Sequence, residues 1–120
     1  MSKEWLKIND IAVGVIMDNT YYTFRNAETF MRKYRGFGLS SKIVSELWKR
    51  GINKICFIYD GKREKSIFTT TLSKIITLAI TDYDYTFGFP DKQYFILIDE
   101  MEKQVLSEKE FENLVKKIKG

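Results

Sequence analysis

The residues best placed to do chemistry lie between positions 32 and 50. Six are cations: Arg32, Lys33, Arg35, Lys42, Lys49 and Arg50. Between them stand Gly36, Gly38 and Ser40, with Phe37 separating the two glycines. A glycine-rich turn followed by a serine-started helix points backbone N–H groups outward, and such groups bind phosphate when cations surround them. The chemistry on offer is therefore contact with a phosphate backbone. The same residues also satisfy a structural reading. Gly36 ends one helix, Phe37 plugs the core, Ser40 starts the next helix, and the charges solvate both.

The Gly36-Phe37-Gly38 step resembles the turn of a helix-hairpin-helix motif, which aims backbone amides at a phosphate. The resemblance covers about twenty residues. The apolar spacing after Gly38 is displaced by about one position, and Lys42 falls where that family carries a small residue.

Other constellations are thinner. There is no histidine, so the usual general base, the usual zinc ligand and any histidine-activated nucleophile are missing. Asp82, Asp84 and Asp91 supply hard oxygen ligands, but the glycine and distal glutamate of a calcium loop are out of place. Asp91, Asp99, Glu100, Glu102 and Lys103 are the residue types of a metal-dependent nuclease, without the acid-x-Lys step such a site needs. The single cysteine, Cys56, sits in the apolar run Ile55–Ile58 and reads as a core residue. No catalytic residue, metal or cofactor is expected. Exposed aromatics could stack on bases, and Tyr21 is the one expected to face outward.

The elements that would position these groups follow from pattern and punctuation. Of 120 residues, 44% are hydrophobic and 15% aromatic, which fits one globular domain spanning residues 1–120. No stretch is apolar enough to span a membrane, and a single cysteine fits a cytoplasmic setting. Net charge is +4, unevenly spread: residues 1–80 hold 14 of the 20 basic and 7 of the 16 acidic side chains. Asp18-Asn19 predicts a two-residue hairpin turn between strands 11–17 and 20–25, pairing Met17 with Thr20, Val15 with Tyr22 and Val13 with Phe24. That register gathers Val13, Val15, Met17, Tyr22 and Phe24 on the core face. Asn26 caps a helix reaching Tyr34.

Ile43, Val44, Leu47 and Trp48 form the apolar stripe of a helix over 40–50, closed by Gly51 with Ile52 packing back. Strands 54–59 and 65–68 pair Ile58 with Ile67 and Phe57 with Phe68, and Thr70 or Thr71 caps a further helix. Residues 81–92 read as a loop. Strands 94–98 and 103–106 make a third hairpin, and Ser107 with Glu110 forms a capping box before the last helix, with Leu106 and Phe111 as its hydrophobic staple.

Hairpin then helix thus recurs over 11–35, 54–80 and 93–118. The expected fold is α+β: a mostly antiparallel sheet of about six strands built from three β-hairpin–helix units, plus the extra amphipathic helix at 40–50. The function expected first is non-enzymatic binding of DNA or RNA through phosphates, carried by the 31–51 segment. The alternatives are a protein-interaction or self-associating (homodimeric) module and, third, a metal-dependent nuclease.

Overall fold

A computed structural model describes residues 3–25, 36–75 and 93–120. Within them the fold is mixed α+β with a mostly antiparallel six-stranded sheet. The strands are β1 (Glu4–Ile8), β2 (Ile11–Met17), β3 (Thr20–Arg25), β4 (Gly36–Ser40), β5 (Lys54–Asp60), β6 (Lys65–Thr71), β7 (Gln93–Leu97) and β8 (Glu102–Leu106). Helix α1 is Ser41–Lys49 and helix α2 is Glu108–Lys119. A 3-10 turn, Ile98–Glu100, links β7 to β8. The main sheet runs β1-β2-β3-β5-β6-β8, and β4 pairs with β7 in a separate two-stranded ribbon.

The first three strands form a meander whose two turns share one mechanism. Asn9 and Asp10 have φ of 52° and 66°, and Asp18 and Asn19 have φ of 50° and 60°. Short polar side chains tolerate these left-handed angles, which match the twist of a two-residue hairpin. Met17 pairs with Thr20 and Val15 with Tyr22, as the turn predicts. Strand β1, which the polar start of the chain conceals, pairs with β2 on the other side.

The expected pairing of Val13 with Phe24 is overturned. Leu6 lies opposite Gly14 and Lys7 opposite Ala12, so Val13 is the extra residue of a β-bulge. The bulge turns the Val13 side chain toward the main core. Its carbonyl accepts from the Tyr21 hydroxyl at 2.9 Å and from Thr23 Oγ1 at 3.2 Å. Tyr21 is therefore not outward-facing: it is fully buried, with its ring laid across Gly14. A Cβ at Gly14 would stand 2.3 Å from that ring, so only glycine fits beneath it.

Strand β3 continues the sheet by pairing in parallel with β5, Tyr21 opposite Ile55 and Phe24 opposite Ile58. Strands β5 and β6 form the central hairpin in the expected register, with Phe57 opposite Phe68 and Ile58 opposite Ile67. Both faces of this sheet are apolar, so both are covered. On one side α2 brings Phe111 and Ile118 against Val15, Met17 and Ile58. On the other, Ile43, Val44 and Leu47 of α1 join Phe37, Leu39 and Ile96 of the ribbon over Ile16, Tyr21, Ile55, Phe57 and Phe68. Phe37 stacks on Phe57 at 4.9 Å and leans on Phe68 at 5.0 Å. Burying a phenylalanine contributes about 2–3 kcal/mol and each good ring pair about 1 kcal/mol more. Phe37 thus anchors the ribbon together with the equally buried Leu39 and Ile96.

Two expectations fail here: glycine marks close backbone packing as well as turns, and strand pattern says little about which partner a strand will choose. Gly36-Phe37-Gly38 is strand, not turn, and Gly36 lies against Leu97 in the ribbon. Strand β7 pairs with β4 instead of forming a hairpin with β8. Strand β8 joins β6, with Phe68 opposite Lys103. The third hairpin–helix unit is therefore not formed as a hairpin. The helices expected over 26–34 and beyond residue 75, and the loop at 81–92, lie outside the described residues, though residues 72–75 are helical.

Both helix ends follow the sequence. Ser40 caps α1, its Oγ accepting from Ile43 N–H at 3.3 Å. Gly51 takes φ of +70°, Ile52 N–H reaches Leu47 O at 2.9 Å and Gly51 N–H reaches Trp48 O at 3.1 Å, the two bonds of a Schellman end. Ser107 and Glu110 close a reciprocal capping box on α2, at 3.0 and 3.1 Å.

Candidate functional site

Of the nine residues expected to contact phosphate, six lie among the described residues. Arg32, Lys33 and Arg35 lie outside the described residues. Gly36 and Gly38 are buried in β4, their backbone committed to the ladder with β7. A Cβ on Gly36 would stand 2.3 Å from the Ile96 carbonyl oxygen, so this glycine serves close backbone packing and not anion capture. The Ser40 hydroxyl is spent on the Ile43 amide. Arg50 pairs with Glu4 across the fold and lies 3.8 Å from Glu46, which leaves it a structural tie.

Lys42 and Lys49 remain, and the fold gives them new company. They sit on the polar face of α1, opposite buried Ile43, Val44 and Leu47. Beside that face runs an open groove of about 700 Å³. Lys7 and Asn9, from β1 and its turn, line one wall, and Ser41, Lys42, Ser45 and Lys49 line the other. Tyr94 of β7 also lines it. Glu46 is the one carboxylate there, and it stands 3.7 Å from Lys49. Three lysines, Ser41, Ser45, Tyr94 and an amide side chain therefore line a shared space that runs along the helix from Ser41 to Lys49, and at its Ser41 end the helix dipole favours an anion. Trp48 follows Ser41 and Ser45 along the same stripe of the helix and is 64% exposed, not packed in the core as its place in the apolar pattern suggests.

Sequence reading missed Lys7, Asn9, Ser41, Ser45 and Tyr94. Spacing could have found the serines, since 41, 42, 45 and 49 share one helical face. Lys7 and Asn9 required seeing β1, for which Asn9-Asp10 was the available signal. Tyr94 arrives only through the β4–β7 pairing.

Several other candidates of the sequence are buried or ion-paired. Cys56 is buried, and burial pushes its thiol up to about 11, so it is no nucleophile at neutral pH. Burial likewise raises the Tyr22 hydroxyl, with further contributions from Cys56 and Asp18. Asp60 pairs with Lys65, and Glu64 pairs with Lys103 at 2.6 Å. Asp99 and Glu100 sit exposed on the 3-10 turn and Glu102 exposed at the start of β8. Among the described residues no three potential metal ligands come together. Asp82, Asp84 and Asp91 lie outside the described residues. Among the described residues, too, no helix is long and apolar enough to cross a membrane.

Compared with known protein families, with curated proteins and with solved structures, the chain shows no significant match.

Proposed function

We propose that this chain is a non-enzymatic binding protein that contacts nucleic acid through phosphates, and that the groove beside α1 is its contact surface. The observation that carries the reading is the convergence of Lys7, Lys42 and Lys49, from two distant parts of the chain, on one open groove. The site moves from the glycine turn expected in the sequence to the polar face of the helix that follows it. Trp48, exposed beside this face, offers a stacking surface for an unpaired base, which favours single strands over duplex.

Phosphate contact releases counterions, so three lysines predict a slope of log affinity against log salt of about −2 to −3. The test is fluorescence anisotropy with labelled 20-nucleotide single-stranded and duplex DNA and RNA, between 20 and 200 mM salt. Replacing Lys7, Lys42 and Lys49 together by Glu flattens the slope and weakens binding more than about ten-fold, with the circular dichroism spectrum unchanged. No binding by the wild type at 20 mM salt, or equal binding by the triple variant, overturns the reading.

A second reading is association through the sheet edges. Strands β1 and β8 close the two ends of the main sheet, and β8 exposes Val105 at 59%. An open edge can pair with another strand, although Glu102 and Lys103 oppose this by charge. Sedimentation decides it: a dimer that ignores nucleic acid supports association, and a monomer that binds it supports the groove.

A further inference from the structure

The loop between β5 and β6 shelters a second cavity, separate from the groove. It measures about 400 Å³, and Tyr59, Lys62, Arg63, Glu64, Ser66, Phe68 and Lys103 line it. The loop itself is internally tied. Gly61 N–H donates to Glu64 O at 3.1 Å, and Lys65 reaches both the Asp60 carboxylate and, at 3.4 Å, the Gly61 carbonyl. The Glu64 carboxylate is neutralised by Lys103. Each acid of the loop thus has its own lysine, while Lys62 and Arg63 have no ion-pair partner among the described residues. The cavity lining carries three cations against one carboxylate.

Ser66 supplies the second, independent observation. It is completely buried, it lines this cavity, and its hydroxyl has no hydrogen-bond partner among the described residues. Buried hydroxyls are nearly always paired, and one left open beside a cationic cavity points to an absent acceptor. Thr70, four residues along on the same face of β6, also lacks a partner among the described residues but does not line the cavity.

We propose that this cavity binds a phosphate group, free or as a small phosphomonoester, held by Lys62 and Arg63 and accepting from the Ser66 hydroxyl. A phosphate dianion matches the two surplus charges, and a guanidinium can bind two of its oxygens at once. Tyr59 and Phe68 give the walls an apolar character suited to the organic part of an ester. Phe68 is already fixed beneath Lys103, whose ammonium lies 5.7 Å from the ring centroid, so the cavity is largely pre-formed.

The test titrates the intact, 15N-labelled chain with sodium phosphate and with phenyl phosphate, at ionic strength held constant with sodium chloride. The expected result is saturable amide shifts centred on residues 61–66 and 103. Tighter binding of phenyl phosphate identifies a monoester as the better ligand, and equal binding identifies phosphate itself. Arg63→Ala weakens binding about ten-fold and Ser66→Ala about five-fold, the latter without lowering the melting temperature, since it deletes an unpaired group. Shifts that never saturate, or that fall on Lys7 and residues 41–49 instead, overturn the proposal. Unchanged affinity in Ser66→Ala overturns it too. Failure here leaves the groove reading standing, because the two sites share no residue.

Discussion

Gly14→Ala tests the account of the main core more sharply than any larger change. The added methyl would stand 2.3 to 2.6 Å from three atoms of the Tyr21 ring, Cε1, Cζ and the hydroxyl oxygen. Normal contact needs about 3.5 Å, so the ring must retreat by about 1 Å. It has nowhere to go, since Tyr21 is fully buried and its hydroxyl is bound to the Val13 carbonyl at 2.9 Å. Overpacking of this kind costs about 1–3 kcal/mol, and detaching a buried hydroxyl about 1–3 kcal/mol more. The two overlap, so a loss of about 2–4 kcal/mol is expected, read as a lowered urea midpoint with the slope unchanged. The decisive comparison is with Tyr21→Leu, which shortens the side chain. In that background Gly14→Ala should cost nothing, or should stabilise by about 0.5–1 kcal/mol, because alanine suits a strand better than glycine. A cost that is the same in both backgrounds would refute the Gly14–Tyr21 contact as the cause.

Two further outcomes concern titration and capping. The Cys56 thiol rises from 9.0 to about 11 on burial, so the folded state favours the neutral form. Its contribution is therefore whole below about pH 9 and lost as pH climbs toward 11, by about 2–3 kcal/mol. Urea midpoints at pH 8 and pH 10.5 measure this, and a decline retained in full by Cys56→Val would overturn it. At the other end of the scale, the Ser107 N–H and hydroxyl hold the Glu110 carboxyl below its ordinary value. A depressed carboxyl supports the fold at neutral pH and loses that support as pH falls through its folded pKa. Ser107→Ala should cost about 1 kcal/mol near neutrality by removing the acceptor of the Glu110 N–H. Glu110→Gln should flatten the acid dependence, and an unchanged acid limb in that variant would count against the capping box.

What could be read in the sequence was local in cause. The Asp18-Asn19 turn, the 54–68 hairpin, the Gly51 stop and the Ser107–Glu110 box each depend on groups within a few residues of one another. Pairing between distant segments was not readable. Nothing in Gln93–Leu97 distinguishes β4 from β8 as a partner, and nothing in Lys103–Leu106 singles out β6. The Gly-Phe-Gly step misled for a definite reason: glycine marks both turns and places where two backbones press together, and Gly36 is the second kind. Tyr21 keeps the register and the face that the Asp18-Asn19 turn predicts, opposite Ile16, but that face is covered by α1 and the β4–β7 ribbon, which the strand pattern alone does not show. At the groove, charge alone pointed to Lys42 and Lys49, and the fold had to supply Lys7 and Tyr94.

The parallel pairing of β3 with β5 sets the order in which this molecule can assemble. The meander from Glu4 to Arg25 and the hairpin from Lys54 to Thr71 each close across turns of two to four residues, and such closures are fast. Joining them closes a loop over residues 26–53, so the seam is expected to be the slow step. Helix α2 then acts as a clasp. Phe111 and Ile118 grip Val15 and Met17 on one side of the seam and Ile58 on the other, and Lys3 donates to the Ile118 carbonyl at 2.6 Å. Closure of the seam is expected to set the folding rate, and loosening the clasp by Phe111→Ala is expected to speed unfolding more than it slows folding, as stopped-flow rates would show.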